Sequence, residues 1–84
     1  MPKSIFTGAH AYLVEILVEA RRGSGLTQAE LGARLGKDQS FISLVEGSQR
    51  RIDVVEFCRI AKAVGADPGE LFRQFVQQAG ADFD

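Results

Sequence analysis

Apolar residues recur along this chain every three or four positions, separated by short polar clusters, and the pattern divides it into five helices with no strand. The first runs from about Gly8 to Arg22, with Thr7 available as its cap and Leu13, Ile16, Leu17 and Ala20 on its inner side. Gly23-Ser24-Gly25 stops it. Thr27 caps the second, and Glu30 three residues later completes a capping box. Ala29, Leu31 and Leu35 supply its apolar stripe, and Gly36 ends it by taking a positive φ. Asp38 is placed to cap the third, whose buried side is Phe41, Ile42 and Val45. A polar, basic loop follows, Gly47-Ser48-Gln49-Arg50-Arg51. Asp53-Val54-Val55-Glu56 opens the fourth helix with a second capping pattern; Phe57, Ile60, Ala61 and Val64 are its inner face, and Gly65 stops it. Asp67 caps the fifth, with Pro68 at its first position. It carries Leu71, Phe72, Phe75 and Val76 and frays near Gln78. We expect one domain over residues 1–84, with a core of about 7–78 and flexible ends at 1–6 and 79–84.

The second and third helices are short and joined by a tight turn that contains glycine. That is the helix-turn-helix signature. The third leaves Gln39, Ser40 and Ser43 outward, small or amide side chains able to bond base edges. Gln39 is the strongest of these, since an amide can pair with adenine at two points.

Charge changes the picture in one respect. Overall the chain is slightly acidic, at −1, which speaks mildly against nucleic acid. Residues 21–51, however, hold six cations and three anions, while the remainder holds four cations and eight anions. The positive charge thus sits on the segment that would face DNA. Hydrophobic content of 45% and charged content of 25% suit an ordinary globular domain. No apolar run approaches the roughly 18–20 residues that span a bilayer, so no membrane partner is expected. The N-terminus has no signal-peptide core and one cysteine forms no internal disulfide, which points to the cytoplasm.

From about residue 13 to residue 76 the chain resembles the lambda-repressor-like, Cro or Xre type, helix-turn-helix family. The matching words are Gly25-Leu26-Thr27-Gln28-Ala29-Glu30-Leu31, Leu35-Gly36, Gln39-Ser40-Phe41-Ile42-Ser43, Glu46, and Ile60-Ala61-Lys62-Ala63-Val64-Gly65. The resemblance implies an all-α, five-helix domain whose third helix enters the major groove. It implies base reading by Gln39, Ser40 and Ser43, with Leu44 beside them. It gives the sugar–phosphate backbone to Thr27, Gln28, Lys37, Arg50 and Arg51. It pairs Arg21 with Glu46, tying the first helix to the reading helix.

Three departures stand out. Leu44 occupies a position often held by Lys or Arg, so it touches a thymine methyl or a partner chain instead. Gly47 and Ser48 follow Glu46 where the family has a basic residue and then glycine. Gly32 stands where alanine is common, at roughly 1 kcal/mol of helix propensity. The apolar fifth helix makes Leu71, Phe72, Phe75 and Val76 candidates for a homodimer contact; some of them pack on the core, which leaves Phe75 with Phe83 for a partner. The expected partner is double-stranded DNA and the expected role a small dimeric repressor. The alternatives are a protein-interaction module such as an antitoxin or accessory factor, or a restriction–modification controller. No cofactor, metal or enzyme activity is expected: His10 stands alone, Cys58 lies beside a core face, and no phosphate loop or nucleophile motif appears.

Overall fold

In a computed structural model the described residues are 8–83. They form five α-helices and a closing turn: α1 Ala9–Gly23, α2 Gln28–Leu35, α3 Gln39–Glu46, α4 Val54–Ala63 and α5 Pro68–Ala79, then a 3-10 turn, Gly80–Phe83. The core is built from one face of each helix. Ile16 and Leu17 of α1, Leu31 of α2, Ile42 of α3, Phe57, Ile60 and Ala61 of α4, and Leu71 of α5 are all buried in one cluster. Leu31 and Ile42 are the largest of the fully buried side chains. The helix pair α2–α3 therefore hangs on the core through two large side chains shielded from water.

Local chemistry explains most helix ends. Thr27 Oγ1 accepts from the Glu30 amide at 3.0 Å and the Glu30 carboxylate accepts from the Thr27 amide at 2.9 Å. Asp53 and Glu56 repeat the reciprocal pair at 2.7 and 2.9 Å. Asp67 caps α5 through the Glu70 amide, with Pro68 at the first position. Gly36 closes α2 at φ 68°, and the Lys37 amide folds back onto the Gly32 carbonyl at 2.8 Å.

Several expectations are corrected. Gly8, at φ 68°, occupies the position before α1; Thr7 lies outside the described residues. The Asp38 side chain makes no cap bond to α3, whose Phe41 amide bonds the Asp38 carbonyl instead. Ala29 is exposed, because residues two apart on a helix face opposite ways and Leu31 takes the core side. α5 ends close to Gln78, as expected. Its last residue is Ala79, which is buried, and the next turn brings Phe83 edge-on to Phe75 with ring centroids 5.4 Å apart.

Gly32 has a contact reason. A Cβ there would lie 2.9 Å from the Lys37 carbonyl oxygen and 3.1 Å from that of Asp38. The turn between α2 and α3 thus passes directly over the α2 backbone. Arg34 fastens the other side of α2 by donating to the Ala63 carbonyl at the end of α4, at 2.8 Å.

Candidate nucleic-acid interface

A hydrogen-bonded chain runs from the buried end of α1 to the start of α3. Arg21 and Glu46 form a forked pair, Nε to Oε2 at 2.7 Å and Nη2 to Oε1 at 2.9 Å, with both side chains about nine-tenths buried. The remaining Arg21 nitrogen donates to the Leu26 carbonyl at 2.8 Å. The fork raises the arginine pKa further, so its charge is permanent. Glu46 Oε1 accepts again from Gln28 Nε2 at 2.9 Å, and Gln28 Oε1 receives Gln39 Nε2 at 3.4 Å. Glu46 thereby fixes which way the Gln28 amide points, and Gln28 biases the Gln39 amide. Gln39 keeps its carbonyl oxygen and one N–H for an outside partner.

Gln39, Ser40 and Ser43 are exposed together on α3, and Leu44 is 40% exposed next to them. All four base-reading candidates therefore share the outer side of one helix. The Leu44 carbonyl accepts from the amides of Gln49 and Arg50, which closes the end of α3 into the loop. Ser48 takes φ 58°, a left-handed conformation that glycine adopts without cost. The inverted Gly47-Ser48 order places a side chain at that position.

The basic residues divide. Lys37 Nζ lies 5.4 Å from the centre of the Phe41 ring. Arg50 stacks closer, its Cζ 4.6 Å from the same centre, and its guanidinium binds the Glu56 carboxylate at 3.1 and 3.3 Å and the Arg51 carbonyl at 2.7 Å. Those contacts, led by Arg50, hold the Glu56 carboxyl below its ordinary value. Arg51 is exposed and lines a cleft with His10, Leu13, Ile52, Phe75 and Phe83. Burial and the Arg51 charge push the His10 pKa down, which keeps that ring neutral at pH 7.

The dimer candidates are also split. Leu71 is buried in the core and unavailable to a partner, which corrects its place among them. Phe75 is half-buried between the rings of Phe72 and Phe83. Phe72 and Val76 are exposed. Val54 and Val55 in the first turn of α4 are 76% and 65% exposed, and Val54 comes close to Phe72. A groove of about 100 Å³ lies between, lined by Leu13, Ile52, Val54, Phe57 and Phe72. Sequence reading passed over Val54 and Val55 as part of a cap. It also passed over Glu56 as the partner of Arg50, although the cap pattern already named that residue.

Residues 13–81 match the helix-turn-helix domain family. An uncharacterized HTH-type transcriptional regulator, y4dJ, of Sinorhizobium fredii is 39% identical over 51 residues, which span 61% of this chain and 66% of that protein. A solved structure, an XRE-family like protein from Pseudomonas syringae pv. tomato, is 41% identical and superposes with a TM-score of 0.80, covering 83% of this chain and 85% of the other. With the helix order, the glycine-closed turn and the Arg21–Glu46 fork, these similarities establish that the chain belongs to the helix-turn-helix domain family, of the Cro/Xre type.

Proposed function

We propose that the chain is a sequence-specific regulator that binds double-stranded DNA, a small repressor working as a homodimer in the cytoplasm. The observation that carries this reading is the chain Arg21–Glu46–Gln28–Gln39, which ends in a part-oriented amide on the outer side of α3. An amide whose direction is set before binding gives up less freedom on pairing with a base. Gln39, Ser40, Ser43 and Leu44 choose sequence, Gln39 by pairing with adenine. Thr27, Gln28, Lys37 and the exposed Arg51 set register on the phosphates, with the start of α2 adding amide donors.

The homodimer rests on the apolar face where Phe72 and Val54 meet, with Val76 and Val55 exposed on the same two helices. Exposed apolar patches of this kind mark interfaces, and a two-fold pair would set two reading helices roughly 34 Å apart, one DNA turn. The same face favours the second reading, a protein-interaction module.

The test is selection of bound sites from a random duplex library with the whole chain at about 0.1 M salt. Recovery of an inverted repeat with half-sites about ten base pairs apart is the expected result. No enrichment over input overturns the reading and turns attention to a protein bound through the apolar face.

A further inference from the structure

We propose that Arg50 is a positioning residue that brackets the reading helix to the start of α4, and that it does not clamp a DNA phosphate. This inference rests on the DNA-binding reading of α3. The family resemblance gives Arg50 to the phosphates, as part of the basic loop after the third helix. The geometry points elsewhere. Its guanidinium carbon Cζ lies over the Phe41 ring, 4.6 Å from the ring centre. Phe41 is on the third position of α3, half-buried, and packs against the core cluster. On its other contacts Arg50 holds both oxygens of Glu56 and the Arg51 carbonyl. Glu56 in turn caps α4 through the Asp53 amide. One side chain therefore joins a ring of α3, the loop backbone and the cap of α4.

Two physical consequences separate a bracket from a clamp. A clamp gives its charge to a phosphate and releases a counterion. Arg50 is already neutralised by Glu56, whose side chain is the less exposed of the two at 22% against 41%. A bracket also needs the planar fork and the stack, which lysine lacks. The contribution of Arg50 to binding is then the angle at which α3 meets the groove. That angle matters for base pairs and little for non-specific phosphate contact.

The experiment compares wild type, Arg50→Lys and Arg50→Met by fluorescence anisotropy on the selected operator and on random duplex across a salt series. The bracket predicts that both variants lose roughly tenfold on the operator. It also predicts little loss on random duplex and an unchanged slope of log affinity against log salt. The inference is overturned if Arg50→Lys keeps wild-type affinity, or if Arg50→Met weakens both duplexes alike and lowers the slope by about 0.9. The second measurement needs neither a variant nor an operator. In the NMR spectrum of the free wild-type chain, the Arg50 side-chain protons should be shifted upfield by the Phe41 ring and show cross-peaks to it. Absence of both overturns the bracket whether or not the chain binds DNA. Presence of both in a chain that binds no duplex would sustain the bracket and sink the DNA reading.

Discussion

Two arginine–glutamate pairs flank α3, and they differ in almost every respect. Arg21–Glu46 lies behind α3, about nine-tenths buried, forked, and extended by two glutamines to the surface. Arg50–Glu56 lies beside it at the rim, half open to water, and is steadied by an aromatic face and a helix cap. Water decides what each can do. At the rim an ion pair gains little, since the solvent screens it. Behind the helix either charge left alone would be stranded in a medium that solvates it poorly. The buried pair therefore acts as a constraint on α3 in which losing one partner is costly. The rim pair acts as an adjustment of angle.

Glu46→Ala should break the comparison hardest. It strands Arg21, and the cost should be about 3–5 kcal/mol, a large share of what a domain of this size has. Urea denaturation reads it, and a loss under about 1 kcal/mol would put the two pairs in one class. Gln39→Ala comes next. It removes the outer end of the buried chain and should cost about 1–3 kcal/mol on the operator with little change on random duplex. Equal losses on both would mean that the ordered amide is not reading bases. Glu56→Gln should cost about 1 kcal/mol or less at neutral pH. Because the folded Glu56 pKa is held below the ordinary 4.5, its stabilisation is present above that value and lost as pH falls through the depressed one. The gap between wild type and Glu56→Gln should therefore close on acidification, as denaturant midpoints at about pH 7 and pH 3 would show. Ser48→Gly should have the smallest effect and the opposite sign. It relieves a left-handed serine, less the extra freedom glycine loses on folding, for a gain under about 1 kcal/mol. Operator affinity should not move, since the loop angle is held by Arg50.

Helix positions were readable because caps and stops are local chemistry. Thr27 with Glu30, Asp53 with Glu56, and Gly36 each act within three or four residues of where they stand. Asp38 shows the limit. Its spacing was right, yet the tight approach of the turn to Gly32 is set by backbone contact, and a cap pattern carries no information about that. Leu71 and Phe72 show another limit. Adjacent apolar residues on one helix point about 100° apart, so one is core and the other surface, and only the neighbouring helices decide which. The Arg21–Glu46 fork followed from the family pattern; the Arg50–Glu56–Phe41 cluster did not, because its members meet across a loop whose path no local rule specifies.

The close pass of the turn over Gly32 has a consequence for redesign. The spacing of α2 and α3 is set there by main chain against main chain, with no side chain between. The residues that face outward from α3 are therefore interchangeable parts on a fixed mount. New combinations at Ser40, Ser43 and Leu44 can be sampled without resetting the helix pair, whereas the routine replacement of a helical glycine by alanine, a gain of roughly 1 kcal/mol elsewhere, would jam the mount itself.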